Sequence, residues 1–218
     1  MSSDDVVILC AAGMLVTAYL MVGQKALFVA IRLYGLQSVL LGAVALTMGL
    51  ADHRFHLFTG AALTIGLKGV LIPWFLMRVI DRIGIHREIE PLVNVPSSLL
   101  ICLGLTVVGY RVSTGLADGG HGVTHHVIGV SLSMLLMGLF MMVTRRKAVT
   151  QILALLTVEN AVFLVALGAT SGMPLVVELG ISFDVILAVL VLGILVHRIA
   201  ERFEAKVLPF FAAHLAMK

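Results

Sequence analysis

The sequence predicts an all-α, polytopic membrane protein with seven transmembrane helices, an external N-terminus and a cytoplasmic C-terminus. Three observations predict this class. Hydrophobic residues make up 60% of the 218 residues and charged residues 12%, with a mean hydropathy of +1.10. The apolar residues form long continuous runs, and most basic residues lie between alternate runs. Such a chain cannot surround one core with a polar surface. Its continuous runs also suit helices better than the alternating strands of a barrel.

Seven runs reach the length of about 20 residues that a helix needs to cross a hydrocarbon core. They cover residues 6–22, 27–50, 57–77, 95–114, 123–143, 148–169 and 175–196. The first run carries no charged side chain. The second contains Arg32 near its start and Gln37 further in, whereas the third contains Lys68 and Pro73. Arg32 is long enough to extend its guanidinium to the cytoplasmic surface of the membrane.

The last four runs also contain few ionisable residues. In the fourth and fifth runs these residues lie only near the ends. The sixth contains Glu159 well inside, and the seventh contains Glu178 near its start and Asp184 further in. A carboxylate is favourable at a helix N-terminus. We therefore interpret Glu178 as a helix cap or as a site where protons enter or leave the membrane.

A glycine-rich connection, residues 115–122, divides the chain into a four-helix part, residues 1–116, and a three-helix part, residues 117–218.

The charges between the runs predict the orientation. The side opposite the N-terminus holds most basic residues: Lys25, Arg78, Arg82, Arg87, Arg145, Arg146, Lys147, Arg198, Arg202, Lys206 and Lys218. The side of the N-terminus has only Arg54 and Arg111. The positive-inside rule makes the basic side cytoplasmic. The net charge of +3 therefore reflects topology, and no nucleic-acid partner is expected.

Lys68, Glu159 and Asp184 are the main functional candidates because each lies near the middle of its predicted span. At 1.5 Å per residue, Lys68 lies about 16 Å deep in a core of ~30 Å, and the two acids lie at a similar level. A charged side chain at that depth costs on the order of 2.5–3.5 kcal/mol on insertion scales. Each should therefore face another helix, a partner subunit or water. A proton can also remove the charge of any one of them.

Two interpretations of these residues are open. In the first, Lys68 pairs with Glu159 or Asp184 and only fixes the packing of helices. In the second, the three residues transfer charge. We favour the second, because a buried ion pair seldom adds stability over apolar packing. Pro73 lacks an N–H group and so frees the carbonyl of Gly69, which predicts a polar pocket for the Lys68 ammonium.

Smaller residues and amides add detail to this region. Gly66 and Gly69 predict a close approach by a neighbouring helix. Gln37, with Ser38, either extends a polar path through the second span or makes a structural hydrogen bond between helices.

No pattern predicts a catalytic, cofactor-binding or metal site in this chain. Cys10 and Cys102 fall in predicted spans, where a thiol behaves as a small apolar group. The histidines lie in loops or at span ends, whereas haem ligation needs pairs at matching depth. Protease, lipase and nucleotide-binding motifs do not occur. Protease, lipase and nucleotide-hydrolysing functions therefore lack support.

Three segments carry a family resemblance. They are Thr144-Arg-Arg-Lys147, Ile152-Leu-Ala-Leu-Leu-Thr-Val-Glu-Asn-Ala161 and Val196-His-Arg198. From about residue 123 onward the chain resembles the K subunit of bacterial respiratory complex I and the C subunit of multisubunit cation/proton antiporters. Those are three-helix proteins with an arginine-rich cytoplasmic loop and a buried glutamate in each of the last two helices.

The resemblance implies a proton-carrying role for Glu159 and Asp184 and a supporting role for Asn160. Two departures concern the geometry. Glu159 stands about one helical turn from the family's glutamate when Asn160 and Ala161 are matched, which shifts its depth by roughly 5 Å. Asp184 stands one position from the other glutamate and is the shorter acid.

The whole chain resembles hydrogenase-4 component E, through Leu67-Lys-Gly-Val-Leu-Ile-Pro-Trp74 and Arg87-Glu-Ile-Glu-Pro-Leu-Val-Asn-Val-Pro96 together with the C-terminal segments. That family belongs to group 4 membrane-bound NiFe hydrogenase and formate hydrogenlyase complexes. The resemblance implies a non-catalytic subunit, rather than an enzyme by itself, in a hetero-oligomer of the bacterial cytoplasmic membrane. Its partners would be antiporter-like membrane subunits and a peripheral hydrogenase-like arm. NiFe and iron–sulfur centres would then reside in partner subunits, with no cofactor in this chain.

We expect a midplane relay in which Glu159 and Asp184 alternately bind a proton or ion while Lys68 biases their affinity. Three alternatives are open. The chain can be a structural and assembly subunit without its own ion path, or a subunit of a multisubunit cation/proton antiporter. A standalone secondary transporter is disfavoured, because the sequence shows no inverted repeat or paired broken helices.

Overall fold

A computed structural model describes residues 3–52, 55–83, 92–116 and 123–170 of the chain. These residues are almost entirely helical and contain no β-sheet. The helices are α1 (Ser3–Gly23), α2 (Leu27–Asp52), α3 (Phe55–Leu63), α4 (Ile72–Ile83), α5 (Val95–Leu116), α6 (Val123–Thr144) and α7 (Ala148–Thr170). A π-helical segment, Thr64–Leu71, joins α3 directly to α4, so that the three form one long helix.

Six helices in the described ranges are long and apolar enough to cross a membrane, which confirms the all-α class and agrees with the first six predicted spans. The third helix continues to Ile83, beyond its predicted end at residue 77. It continues because Val79 and Ile80 are buried while Arg78 lies on the exposed face. The seventh predicted span, residues 175–196, lies outside the described residues.

The helices form a bundle in which α1 and α2 occupy central positions. α1 packs against α2, α5 and α6, whereas α2 packs against α1, α7 and the long third helix. α6 also packs against α5 and α7. The core is apolar and rich in methionine, with Met14, Met134 and Met137 fully buried.

α5 is the least enclosed of the six spanning helices. Only 17% of its most apolar stretch is buried, against 61% in α6 and in α7. Large apolar side chains cover its outer surface, including Leu100, Leu103 and Val107. An apolar outer face of this kind suits contact with lipid or with a partner helix.

Small residues set the closest helix contacts. A Cβ atom added to Gly109 of α5 would lie 2.7 Å from the backbone nitrogen of Ser133 in α6. A Cβ atom added to Gly35 of α2 would lie 3.1 Å from the Gly69 carbonyl oxygen. The predicted close approach at Gly69 is therefore present. Gly66 faces outward, and no atom of the described residues lies within 4 Å of a Cβ added to it, so its close approach stays a prediction.

Arg145 closes the end of the bundle where α6 turns into α7. The sequence placed it among the loop charges, but its side chain is buried and its Nη2 donates to the Val22 carbonyl at the end of α1. The Gln151 side chain donates in turn to the Arg145 carbonyl at 3.0 Å. A buried guanidinium can donate its N–H groups to the carbonyl groups at a helix C-terminus, because these carbonyls have no partners within the helix.

We expect Gly109→Ala to destabilise the bundle by about 1–3 kcal/mol, because the added methyl group meets the α6 backbone and forces α5 outward. Gly104→Ala is the matched control in the same helix, since no atom of the described residues lies within 4 Å of its added Cβ. Any gain in helix propensity occurs in both variants. Denaturant unfolding in detergent micelles measures the difference. Equal stability of the two variants would contradict the described crossing of α5 and α6.

Candidate polar site inside the helix bundle

An ion pair lies in the middle of the bundle. The Lys68 ammonium is 3.2 Å from Glu159 Oε2. Lys68 is 1% exposed and Glu159 is 4% exposed, so neither charge has appreciable contact with solvent. Glu159 stands midway along α7, roughly 16 Å from either end of that helix. The structure thus brings together two of the three residues that the sequence placed at the membrane midplane.

The π-helical segment positions Lys68. Its hydrogen bonds join residues five apart, as when the backbone N–H of Ile72 donates to the Leu67 carbonyl. Pro73 follows this segment by two residues, and a proline ring clashes with the carbonyl four residues earlier in a regular α-helix. That carbonyl belongs to Gly69, and the wider π turn gives it room. Single π turns are common at functional sites, and Lys68 lies within this one.

Asn160 connects the ion pair to α2. Its Oδ1 accepts a hydrogen bond from Lys68 Nζ at 3.4 Å. Its Nδ2 donates to Gln37 Oε1 at 3.3 Å and to Ser38 Oγ at 3.2 Å. All four of these residues are 1% exposed or less. The amide therefore ties the long third helix to α2 through a side chain of α7.

The polar connection continues from α2 to α1. Gln37 Nε2 donates to the Met14 carbonyl at 3.3 Å, and Ser38 Oγ donates to the Tyr34 carbonyl at 3.1 Å. The Met14 carbonyl also accepts from Thr17 Oγ1 at 2.7 Å. The hydrogen bonds therefore run in one direction: Lys68 donates to Asn160, Asn160 donates to Gln37, and Gln37 donates to the Met14 carbonyl. The series begins at the ammonium of Lys68 and ends at an acceptor in α1.

We name these groups the midplane network: Lys68, Glu159, Asn160, Gln37, Ser38 and the Met14 carbonyl. It spans four of the six described spanning helices and has one ionisable group of each sign. Amides and hydroxyls can hold the ammonium and carboxylate in place and bind water. Only Lys68 and Glu159 can gain or lose a proton, so the acid–base chemistry of the network is limited to this pair.

The other predicted site residues lie elsewhere. Arg32 is exposed on the outer surface of α2, close to the end that begins at Leu27. Asp184 and Glu178 lie outside the described residues. Within the described ranges no three His, Cys, Asp or Glu side chains come together as a metal-binding group. Cys10 and Cys102 are free thiols on α1 and α5.

Sequence reasoning missed the contribution of α1. A backbone carbonyl such as that of Met14 leaves no trace in a residue pattern, because every residue has one. The residue pattern also did not predict that Asn160 links three helices, since its supporting role rested on the family resemblance. A signal was present in the two adjacent polar residues Glu159 and Asn160 inside an apolar run, because side chains 100° apart around a helix can together contact more than one neighbouring helix.

Comparison with known proteins identifies a curated relative. The chain is 34% identical to the uncharacterized protein Rv0085 of Mycobacterium tuberculosis (strain ATCC 25618 / H37Rv) over 194 residues, which cover 88% of each protein. No protein-family profile matches the chain. No solved structure matches it at a significant level.

We expect Lys68→Met to destabilise the protein by about 3–5 kcal/mol, because it leaves the Glu159 carboxylate buried without its counter-ion. The double variant Lys68→Met/Glu159→Met should recover most of this loss, since two apolar side chains of similar volume replace the pair. Lys25→Met, at an exposed lysine, is the control and should change stability by less than ~0.5 kcal/mol. Unfolding in mixed micelles gives the four free energies. If the double variant were as unstable as Lys68→Met alone, the loss of stability would not come from the unpaired charge of Glu159.

Proposed function

This chain belongs to the same family as the uncharacterized protein Rv0085 of Mycobacterium tuberculosis, and we propose that it is a membrane subunit of a respiratory-type complex. The complex is of the group 4 NiFe hydrogenase or formate hydrogenlyase kind, as the resemblance to hydrogenase-4 component E implies. Within it, the midplane network contributes to a path for protons or ions across the membrane. The chain itself catalyses no redox step.

The observation that carries this proposal is the buried pair of Lys68 and Glu159. Each charge costs on the order of 2.5–3.5 kcal/mol to place at the centre of a membrane helix. Apolar side chains of the same volume generally stabilise a fold as well as such a pair does, or better. A buried ionisable pair inside a membrane domain therefore favours a role in moving charge.

The pair can act as a switch because its attraction depends steeply on distance. At an effective dielectric constant of about 20, an increase in separation from 3.2 Å to ~8 Å weakens the attraction by roughly 3 kcal/mol. A relative movement of the third helix and α7 would produce this change. Glu159 then holds a proton when Lys68 is distant and releases it when Lys68 returns. Bound water has to bridge the steps beyond direct contact.

Asn160 and Gln37 serve as positioning residues in this mechanism. Asn160 accepts from the ammonium, and Gln37 fixes the Asn160 amide from the far side. Their hydrogen bonds keep Lys68 directed toward α7. Asp184 is the next proposed proton carrier, and Glu178 and Arg32 are proposed supporting residues nearer to the membrane surfaces.

The proposed complex supplies what this chain lacks. Antiporter-like membrane subunits would continue the ion path, and a peripheral hydrogenase-like arm would hold the NiFe and iron–sulfur centres. The apolar helices make the chain a multi-pass membrane protein, and we propose the bacterial cytoplasmic membrane as its location. The exposed apolar face of α5 offers a surface for a neighbouring subunit or for lipid.

A second candidate function is structural. The midplane network links four helices and includes a salt bridge, which would also suit a subunit that only holds a redox module and antiporter-like proteins together. In that case the pair fixes helix positions and no proton moves through it. The two candidate functions predict different results when an acid is replaced by its amide, which removes the charge but keeps the shape of the side chain.

We expect Glu159→Gln and Asp184→Asn each to lower ion translocation roughly tenfold or more while the complex still assembles. The amides keep the shape but cannot carry a proton, and a positioned proton-transfer group contributes about 10²–10⁴-fold to a rate. Lys68→Ala should reduce both translocation and assembly. Asp81→Asn is the matched control, since Asp81 is an exposed acid on α4. The measurement is proton uptake by the purified complex in liposomes, with and without sodium.

Two results would contradict this proposal. Normal uptake in complexes that carry both acid substitutions would exclude the relay. Loss of co-purifying subunits on Glu159→Gln, with normal uptake in whatever assembles, would favour the structural role. Co-purification of a NiFe large subunit or of antiporter-like subunits with the unmodified chain tests the parent complex itself.

A further inference from the structure

A second candidate site lies far along the bundle from the loop at Arg145. It is an open cavity of about 410 Å³ against α5 and α6, lined by Thr106, Val107, Tyr110, Arg111, Thr114 and His125. We name it the α5–α6 cavity. Its volume falls within the range of small-molecule pockets, which is about 300–1,000 Å³. The midplane network contributes no residue to its lining.

Arg111 is the charged group of this cavity. It lies inside the apolar span that ends at Gly115, about 6 Å before that end along the helix axis. Its side chain is exposed, and no described residue forms an ion pair with its guanidinium. A guanidinium at this level extends toward the membrane surface, and its planar fork of N–H donors suits an oxyanion partner such as phosphate.

The other polar groups in the lining are largely engaged within the protein. Thr114 Oγ1 donates to the Arg111 carbonyl at 2.6 Å, and Thr106 Oγ1 shares a hydrogen bond of 2.6 Å with the Tyr19 hydroxyl. His125 Nε2 is 3.3 Å from Ser113 Oγ. Arg111 is therefore the group best placed to hold an anion in the cavity. None of the lining residues is a carboxylate that would attract the ammonium of a zwitterionic headgroup.

An apolar stripe leads away from the cavity along α5. Leu100, Leu103 and Val107 share the helix face of Arg111 and are 69%, 56% and 55% exposed. From Arg111 to Leu100 the stripe measures about 16 Å along the helix axis. One leaflet accounts for roughly half of a ~30 Å hydrocarbon core. The stripe therefore has the length of an acyl chain in one leaflet, and it begins where a phosphate would meet Arg111.

We propose that the α5–α6 cavity binds an anionic phospholipid, with its phosphate on Arg111 and an acyl chain along Leu100, Leu103 and Val107. Tyr110 and His125 form the aromatic wall beside the glycerol region, where amphipathic rings are favoured. A partner helix on the same stripe would have to bring an anionic group of its own to the level of Arg111. A phospholipid covers the stripe and supplies the counter-ion in one molecule.

The test uses the full chain, purified in mild detergent and mixed with equal amounts of phosphatidylglycerol and phosphatidylcholine. Native mass spectrometry then counts the bound molecules of each. The unmodified chain should retain phosphatidylglycerol preferentially. Arg111→Gln should lower this retention roughly tenfold, the effect of losing one charge-assisted hydrogen-bonded contact. Arg78→Gln is the control, because that arginine is also exposed near a span end but lies over the Trp74 ring and does not line the α5–α6 cavity.

A second variant separates charge from shape. Val107→Phe fills the cavity while Arg111 keeps its charge, and it should lower phosphatidylglycerol retention as well. Equal retention of the two lipids by the unmodified chain would overturn the proposal, and so would unchanged preference in Arg111→Gln. Displacement of the lipid by inorganic phosphate alone would assign the site to a free anion instead. None of these outcomes depends on ion translocation, so the proposed function is tested separately.

Discussion

The burial of the Lys68 ammonium is the constraint on which the rest of this bundle depends. An ammonium has three N–H donors and no acceptor, and inside a membrane it has no bulk water to satisfy them. Glu159 supplies the countercharge and Asn160 a further acceptor, both from α7. The third helix must therefore come close enough to α7 for a lysine side chain to reach it. The glycine contacts hold the π-helical segment close to α2, and α2 in turn packs against α7.

The π-helical segment and Pro73 belong to the same constraint. A regular α-helix would place the Gly69 carbonyl against the proline ring. The wider turn avoids that clash, and the freed Gly69 carbonyl lies close to the backbone of Gly35. Side chains after a π turn are rotated relative to a regular helix, because one extra residue enters the turn. The direction of Lys68 thus depends on local backbone geometry as much as on its place in the sequence.

Hydropathy was enough to predict the helical class and the first six spans, because long apolar runs have few alternatives in a membrane. Depth alone singled out Lys68 and Glu159. Their contact was one of two interpretations, since a depth estimate says nothing of which helices are neighbours. The π turn could not be predicted, as Pro73 is equally compatible with a simple kink. The outward position of Gly66 was missed because the stretched turn changes which face of the helix each residue occupies.

Charge balance explains why one lysine and more than one acid suit a transfer path. Lys68 and Glu159 together are neutral as an ion pair, and they stay neutral if the proton passes from the ammonium to the carboxylate. A proton that arrives from elsewhere at Glu159 breaks this balance and leaves a buried ammonium without its countercharge, which is costly at low dielectric. A second carboxylate within reach removes that cost, because Lys68 can then pair with whichever acid is ionised. On this argument the proposed role of Asp184 is to accept Lys68 when Glu159 is protonated. The midplane network and Asp184 together would then hold a constant net charge while the proton moves between the two acids.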